Sequence, residues 1–467
     1  MAETVNLATT LPAPFYQEAT PGPFPAATYA MTNHSLADDL GFAAGYFERP
    51  EILQALTGNA PYEDFKPVAL AYAGHQFGGW NPRMGDGRAH LIATLTTNNG
   101  DFDLQLKGSG PTPFARNGDG YAGLGPMLRE YLVSEAMAGL GIPTTRTLAV
   151  VATGEQVHRR RAEPGAIVAR VARSHVRVGT FQYAAAHLGP DHVAQLVEYE
   201  IARSYPALKG SVTPALDLLR GAITRQAALI ARWMCVGFIH GVINTDNMAI
   251  SGETIDFGPC AFIDTFHPKK VFSSIDQHGR YAWDQQPAVA LWNLTRFAEA
   301  LLPLLHKDKD EAVTIARSEL EKYYPQFEDG FESCMRNKFG ITEKAEDDGA
   351  FIANILRILM DEKLDYTLFF RKLTQGDIPS QAADEIWKTR LAGAAPDSTL
   401  MQQSNPIYIA RNHQVEAALR EAEAGYFTRV ETLTSLLKTP FTEQPNMAEF
   451  EAAPLPKEEV TQTFCGT

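Results

Sequence analysis

The sequence predicts an α+β protein, in which a small β-rich part with one helix precedes a larger, mostly helical part. Between residues 66 and 173, short runs rich in apolar and β-branched residues are separated by glycines. Beyond residue 190, apolar residues recur at helical spacing in long segments such as PALDLLRGAITRQAALIARWM. A length of 467 residues allows two to four domains, or one large catalytic domain with extensions.

The elements follow in order from local patterns. Residues 1–65 are rich in Pro, Ala and Thr and predict an irregular N-terminal extension packed on the core. HLIATL and FDLQL, separated by NNGD, predict a hairpin, and leucines at four-residue steps predict a helix over 126–140. We expect residues 66–185 to form the β-rich part and residues 186–440 the helical part. Residues 441–467 are expected to form a C-terminal tail.

The composition is that of a globular protein, with 45% hydrophobic and 21% charged residues. Because 41 Lys and Arg stand against 55 Asp and Glu, the net charge is −14 and broad nucleic-acid binding is not expected. The four cysteines are too few and too far apart for a disulfide scaffold or a zinc site. With no signal or transit peptide and no uninterrupted apolar span, we expect a cytoplasmic protein without membrane contact.

Two glycine-rich stretches indicate phosphate binding. GHQFGGWNPRMGDGRAH and KGSGPTPFARNGDGYAGLG each contain the triplet GDG, with Arg83, Arg88, Lys107 and Arg116 among the glycines. Glycines let backbone amides approach an anion closely, although the same residues are also common in hairpin turns. Neither stretch matches the GxxxxGK[ST] motif, so an ordinary P-loop is disfavoured.

Lys107 stands at the end of a predicted strand, and a helix containing Glu130 and Glu135 follows it. Kinases use a strand lysine held by a helix glutamate to orient ATP phosphates. The alternative is that all three are ordinary surface residues.

The segment FIHGVINTDNMAISGETIDFGP carries the most specific pattern. We predict that a helix ends at His240, that a loop carries Asp246 and Asn247, and that a hairpin turn at SGET leads to Asp256. Kinases place a His, an Asp, an Asn and a second Asp in this order, and the Asn and second Asp bind metal ions. Their oxygen ligands suit Mg²⁺ or Mn²⁺. Val242, however, occupies the position of the usual kinase base.

A third cluster of cations lies in VARVARSHVRVGTF. Arg170 and Arg177 are seven residues apart and could not share one strand face, but a helix or a turn could bring both to one phosphate group. The alternative is a pair of surface arginines. Beside the other signals, the pair indicates a charge clamp.

Taken together, YAGHQFGGWNPRMGDGRAHL, DLQLKGSGPTPFAR, SEAMAGLGIPTTR, SHVRVGTF, HGVINTDNMAI and TIDFGP resemble the selenoprotein O family, called YdiU in bacteria. The similarity runs from about residue 66 to residue 290 and includes GRYAWDQQP. It implies a protein-kinase-like bilobal fold that binds ATP in a flipped orientation. AMP, rather than a phosphate group, would then move to a protein hydroxyl, and UMP transfer with Mn²⁺ is also associated with bacterial members.

The resemblance also implies roles for single residues. The family's base maps on Asp246, its metal ligands on Asn247 and Asp256, and the partner of Lys107 on Glu130. The helical stripe in this sequence favours Glu135, which is kept as a rival. The ATP contacts of the family map on Gly85, Gly87, Arg88, Lys107, Asp119, Gly120, Arg170, Arg177 and Asp256.

The chain departs from the family pattern after the second GDG. Tyr121, Gly125, Pro126 and Met127 stand where the family commonly has Arg, Arg, Ser and Ser. The near-terminal Cys465 stands where some relatives carry selenocysteine. The resemblance suggests Cys260 as the nearest candidate for its disulfide partner under oxidation.

Three functions are compatible with these residues. The first is a protein nucleotidyltransferase that uses ATP or UTP, a divalent metal ion, and Ser, Thr or Tyr hydroxyls of proteins as acceptors. The second is a phosphotransferase of the aminoglycoside-kinase type, against which Val242 argues. The third is a catalytically inactive nucleotide-binding regulator, against which the complete metal pair of Asn247 and Asp256 argues.

Overall fold

A computed structural model describes residues 3–5, 11–63, 65–159 and 161–464 of the chain. The described residues form an α+β structure with a nine-stranded antiparallel sheet and a separate two-stranded sheet. The strands are β1 (Glu3–Val5), β2 (Tyr16–Glu18), β3 (Thr28–Thr32), β4 (Val68–Gln76), β5 (Gly79–Gly85), β6 (Ala89–Thr97), β7 (Gly100–Lys107), β8 (Arg146–His158), β9 (Ala162–Ala172), β10 (Phe238–Ile239) and β11 (Ala261–Phe262).

Most of the α-helices follow the large sheet in the chain. The helices are α1 (His34–Asp39), α2 (Pro50–Thr57), α3 (Leu124–Gly139), α4 (Val178–Tyr183), α5 (Pro190–Ser204), α6 (Pro214–Cys235), α7 (Gln286–Leu305), α8 (Lys309–Leu320), α9 (Tyr323–Lys338), α10 (Asp348–Asp361), α11 (Tyr366–Gln375), α12 (Gln381–Leu391), α13 (Ser398–Ser404), α14 (Asn412–Glu423), α15 (Thr428–Lys438) and α16 (Ala448–Glu451).

The predicted hairpin is present as β6 and β7, which pair from Thr97 opposite Gly100 to Ala89 opposite Lys107. The sheet runs in the order β2-β4-β6-β7-β9-β8-β3, with β1 beside β6 and β5 beside β4. Both faces of the sheet are buried by apolar side chains. Successive residues of β6 show this, because Leu91 belongs to the large core and Ile92 to a second core. Strand β7 therefore lies in the interior of the sheet.

The N-terminal 65 residues are more regular than predicted. Strand β2 pairs with β4 and β3 pairs with β8, so this segment adds strands to the large sheet. Helices α1 and α2 pack on the second core through residues such as Leu36, Ile52 and Leu56. The expectation of an irregular extension is wrong for these residues, because strands of three to five residues are too short for alternation to be visible.

The predicted helix over 126–140 is α3, which begins two residues earlier, at Leu124. It packs against β8 and β9 on one side and against α14 and α15 on the other. Most of its side chains are buried, so it lacks the polar face of a surface helix. A second helix, α4, also lies between residues 66 and 185, where only one was predicted.

The loop region 236–262 differs from the prediction in two details. Helix α6 ends at Cys235 rather than at His240, because Gly237 adopts a left-handed conformation with φ of 71°. The two sides of the SGET turn do not pair with each other as a hairpin, because Ala249 forms a bridge with Arg177 and Thr254 forms one with Thr144. Instead β10 pairs with β11, so that Phe238 lies opposite Phe262. This pairing closes the loop that carries Asp246, Asn247 and Asp256.

One helical segment among the described residues, Trp283–Leu305, is long and apolar enough by composition to cross a membrane. Its Leu294, Phe297 and Leu301 belong to the large core, and α7 packs against α4, α6 and α8. We interpret it as a core helix on account of this packing.

Candidate active site

A cavity of about 1020 Å³ lies between the large sheet and the loop region 236–262. The residues that the family resemblance assigns as nucleotide contacts, metal ligands, base and lysine partner all line this cavity. They are Gly85, Gly87, Arg88, Lys107, Asp119, Gly120, Glu130, Arg170, Arg177, Asp246, Asn247 and Asp256.

Strand register directs the side chains of Lys107 and Arg170 into this cavity, with Gln105 buried beside them. Gln105 on β7 lies opposite Arg170 on β9, and Lys107 follows two residues later on the same face of β7. Nη2 of Arg170 donates a hydrogen bond to Oε1 of Gln105 at 2.5 Å. Lys107 contacts the carboxylate of Glu130 on α3, and its Nζ lies 2.5 Å from Oδ1 of Asp256. The sheet thus delivers two buried cations to one point.

Three cations converge on Asp256. Besides Lys107, Nη1 of Arg170 lies 2.8 Å from Oδ1 and Nη1 of Arg177 lies 3.9 Å from Oδ2. Burial alone would raise the pKa of Asp256, but these three cations hold it well below its usual range. Asp256 is also one of the few non-glycine residues with positive φ, at 65°. Such strain is often found at functional sites.

The rival partner of Lys107 lies elsewhere. Glu135 is fully buried and accepts two hydrogen bonds of 2.7 Å from Arg146, on Oε1 from Nε and on Oε2 from Nη2. It does not line the cavity. The apolar stripe that favoured Glu135 gave the wrong choice, because both glutamates of this buried helix face protein rather than solvent.

Arg177 connects the sheet with the loop that carries the predicted base. It directly precedes α4, its Nη2 lies 3.3 Å from Oδ1 of Asp86, and its Nη1 donates to the backbone oxygen of Asp246 at 3.2 Å. Asp86 is buried, and its Oδ2 accepts a hydrogen bond from Gln105 at 2.8 Å. Asp86 is the central residue of the first GDG, and the glycine pattern alone did not indicate a role for its carboxylate.

The two GDG triplets place backbone along the cavity wall where a side chain could not fit. A Cβ on Gly85 would lie 2.3 Å from the ring of Phe114. Gly120 has φ of 75°, and a Cβ there would lie 2.1 Å from the backbone nitrogen of Pro111. Glycine is therefore required at both positions by the close approach of two chain segments, and each leaves its backbone at the cavity.

Asp119 forms an ion pair with Arg159, a residue outside the predicted set of nucleotide contacts. Nη1 and Nη2 of Arg159 donate to its two carboxylate oxygens at 2.7 and 2.9 Å. The hydrogen bonds from Arg159 hold the pKa of Asp119 below its usual range. Arg159 belongs to the short basic run HRRR and also lines the cavity, so it adds positive charge at this end.

Asp246 lies in a single 3-10 turn, Thr245–Asn247, across the cavity from Gly85 and Gly87. Gln76, at the end of β4, donates from Nε2 to its Oδ2 at 3.3 Å. Its Oδ1 is buried without a hydrogen-bond partner among the described residues. Burial raises the pKa of Asp246 to about 6, against the attraction of Arg177. A carboxylate with one free oxygen and a raised pKa is suited to accept a proton.

The cavity provides few protein ligands for a metal ion. Among the described residues, no three His, Cys, Asp or Glu side chains are arranged to hold one. Nδ2 of Asn247 donates to the backbone oxygen of Val242 at 2.9 Å, which leaves its Oδ1 available as a ligand. Asp256 could supply a second oxygen. One amide oxygen and one carboxylate oxygen would suit an ion such as Mg²⁺, because substrate phosphates and water usually supply the rest of its coordination shell.

The cysteine suggested as a disulfide partner is buried beside the site. Burial raises the pKa of the Cys260 thiol to about 12. The C-terminal tail passes close by, since Oγ1 of Thr463 donates to the backbone oxygen of Pro259 at 2.5 Å. Cys465 lies outside the described residues, so its pairing remains a prediction.

Comparisons with known proteins agree with the motifs in this cavity. The family model described as protein adenylyltransferase SelO matches residues 3–447. Three curated relatives, each named protein nucleotidyltransferase YdiU, come from Bradyrhizobium sp., Brevibacillus brevis and Mycolicibacterium smegmatis. The Bradyrhizobium protein is 47% identical over 98% of this chain and 97% of its own length. The Brevibacillus protein is 47% identical over 99% and 97%, and the Mycolicibacterium protein is 49% identical over 95% and 94%, respectively.

Proposed function

This chain belongs to the protein adenylyltransferase SelO family, and we propose that it transfers AMP from ATP to Ser, Thr or Tyr hydroxyls of proteins and releases pyrophosphate. The observation that carries the proposal is the convergence of Lys107, Arg170 and Arg177 on Asp256 at one end of the cavity. This arrangement favours a kinase-like division into a β-rich lobe that binds phosphates and a helical lobe that carries the acceptor side.

In this proposal the two arginines neutralise the β- and γ-phosphates. Arg170 and Arg177 are both almost completely buried, so phosphates bound to them would lie deep in the cavity. An acceptor hydroxyl could not reach a terminal phosphorus enclosed by two guanidinium groups. The α-phosphorus would then be the accessible electrophile, with pyrophosphate as its leaving group.

Asp246 is proposed to accept the proton of the incoming hydroxyl. Its unpartnered Oδ1 and its raised pKa support this role. Val242, at the position of a kinase base, offers only an apolar side chain and a backbone oxygen already bonded to Asn247. When the hydroxyl oxygen attacks the α-phosphorus, its proton passes to Asp246 and the bond from the α-phosphorus to the bridging oxygen breaks.

Asn247 and Asp256 are the residues proposed to hold Mg²⁺ or Mn²⁺. Such an ion would neutralise charge that develops on the leaving pyrophosphate. Asp256 contacts Lys107 and Arg170, and these cations would be drawn to the phosphates when ATP binds.

The test compares two labelled substrates. Incubation of the enzyme and a protein extract with ATP labelled at the α-phosphate is expected to label protein, whereas ATP labelled at the γ-phosphate is not. Mass spectrometry should show AMP on a hydroxyl side chain, and a parallel reaction with UTP and Mn²⁺ tests UMP transfer. Label from the γ-position alone would identify a kinase, and no label from any donor would favour the inactive regulator.

A further inference from the structure

A second cavity, of about 620 Å³, opens directly beside the first. Phe77 and Ile275 line both cavities, so the two cavities are adjacent and molecules bound in them would lie side by side. Its other wall is formed by His278, Arg280 and Trp292. We call this second cavity the Arg280 groove.

The rim of the Arg280 groove is unusually apolar for a protein surface. Phe77 and Ile275 are 41% and 53% exposed, and Trp80, at 43%, lies nearby. The ring of His75 stands between Trp80 and Trp292, at 5.0 and 5.1 Å from them. Exposed aromatic and aliphatic side chains grouped around a groove are typical of sites that bind other proteins.

The groove also holds a cation, Arg280, that forms no ion pair with any carboxylate of the described residues. The Arg280 guanidinium lies over the ring of Trp292 at 4.9 Å, and its Nε is buried without a hydrogen-bond partner among the described residues. The acidic residue in the lining, Asp276, instead accepts hydrogen bonds from the backbone nitrogens of Arg280 and Tyr281 at 2.9 and 2.8 Å. Arg280 as a whole is half-buried, and a guanidinium with one buried, unpaired nitrogen beside apolar rings favours a carboxylate ligand.

Two contacts tie the groove to the predicted base. The backbone nitrogen of Phe77 and the hydroxyl of Tyr281 both donate to Oδ1 of Asn244, at 3.0 and 2.5 Å. Asn244 precedes Asp246 by two residues, and Gln76, which contacts Asp246, is adjacent to Phe77. A chain lying in the groove would therefore extend toward Asp246 without crossing the phosphate end of the cavity.

We infer that the Arg280 groove binds the acceptor protein through an acidic segment that flanks the modified hydroxyl. A carboxylate of this segment pairs with Arg280, and apolar side chains beside it pack on Phe77 and Ile275. This inference rests on the proposed function, because it names the class of acceptor that the same site receives. It commits to an acidic, hydroxyl-bearing protein segment rather than to a basic one.

The test measures peptide binding by fluorescence anisotropy at saturating α,β-methylene ATP, which cannot transfer AMP. Two labelled synthetic peptides share a central Ser and flanking Leu residues, and they differ only in carrying Glu or Lys at the remaining positions. The wild-type enzyme is expected to bind the Glu peptide about tenfold more tightly than the Lys peptide. Arg280→Glu is expected to remove or reverse this preference, and Arg280→Lys to retain part of it.

Arg357→Glu is the matched control, since Arg357 is an exposed arginine on α10 that pairs only loosely with Asp361. It should leave the preference unchanged, and thermal unfolding of each variant checks that it is folded. Equal Glu-peptide affinity in the wild type and Arg280→Glu would overturn the inference. The inference would also be overturned if Arg280→Glu lost as much affinity for ATP as for the Glu peptide, because the groove would then bind the nucleotide.

The two proposals fail in different ways. If the enzyme preferred the Glu peptide but transferred no AMP from α-labelled ATP, the proposed function would be contradicted, whereas the assignment of the groove to an acidic segment would stand. AMP transfer to both peptides at equal rates, with equal affinities, would contradict the groove alone.

Discussion

Gln76 and Asp246 are separated by 170 residues in the chain, yet Nε2 of Gln76 donates a hydrogen bond to Oδ2 of Asp246 at 3.3 Å. The neighbouring residue strengthens this contact, because the backbone nitrogen of His75 donates to Oγ1 of Thr245 at 2.7 Å. The end of β4 is thus docked on the 3-10 turn that carries the predicted base. This contact joins the large sheet to the loop region 236–262, in addition to the contacts that Lys107 and Arg170 make with Asp256.

We predict that Gln76 positions the carboxylate of Asp246. Gln76→Ala should lower kcat about fivefold, because the loss of one hydrogen bond costs about 1 kcal/mol and frees the Asp246 carboxylate to rotate. ATP affinity, measured by calorimetry, should stay within twofold, and Gln76→Asn should behave like Gln76→Ala because its side chain is shorter. A parallel loss of ATP affinity would show that Gln76 contacts the nucleotide instead.

Asp246→Ala separates proton transfer from binding. Turnover should fall by about 10²–10⁴, the usual contribution of a general base. ATP affinity should be largely intact, since the phosphates are proposed to lie on Arg170 and Arg177. Asp361→Ala, at an exposed position on α10, is the control. Wild-type turnover in Asp246→Ala would leave Asp246 with a structural role in its turn.

Asp256→Ala tests the metal site. The substitution removes one of two proposed ligands and leaves Lys107, Arg170 and Arg177 without their shared carboxylate. Calorimetry should therefore show ATP binding that no longer differs between Mg²⁺ and EDTA. If Mg²⁺ strengthens ATP binding in the variant as much as in the wild type, the ligand assignment is wrong.

The two glutamates of α3 should behave differently. Glu135→Ala leaves Arg146 without its partner and should lower the free energy of unfolding by about 3 kcal/mol, with ATP affinity unchanged. Glu130→Ala should instead weaken ATP binding, because Lys107 loses the carboxylate that orients it. Denaturant unfolding and calorimetry on both variants measure this contrast. If Glu135→Ala weakened ATP binding without lowering the free energy of unfolding, Glu135 rather than Glu130 would be the partner of Lys107.

Cys334, on α9, is predicted to be the most reactive of the three cysteines in the described residues. A hydrogen bond from Cys235 lowers the pKa of the Cys334 thiol to about 7, with further help from Arg232 and Lys338. Burial raises the pKa of Cys235 well above its usual value. Since the thiolate is the nucleophile, iodoacetamide should modify Cys334 first, with a rate that rises through about pH 7.

Peptide mass spectrometry distinguishes Cys334 from the other sites of alkylation. Lys338→Met is expected to move the rise in rate to higher pH, because a neighbouring positive charge is lost. Alkylation of Cys235 before Cys334 would contradict the prediction.

Local patterns in the sequence were sufficient for the elements that carry the site. The β6–β7 hairpin, the strands β8 and β9, the helix α3 and the order of Asp246, Asn247 and Asp256 follow from turn residues, periodicity and spacing. These features depend on a few neighbouring residues, so they can be recognised in one sequence. The short strands β2 and β3 could not be recognised, because their stability comes from pairing with β4 and β8.

What the tertiary structure decided is which side chains meet. The choice of Glu130 over Glu135, the convergence of three cations on Asp256 and the contact of Gln76 with Asp246 all join segments distant in the chain. They depend on strand register and on how a buried helix is rotated against the sheet, since a shift of one residue in β7 would turn Lys107 to the opposite face. The chemical groups and their order along the chain follow from the sequence, whereas packing across the sheet and helices sets the distances between them.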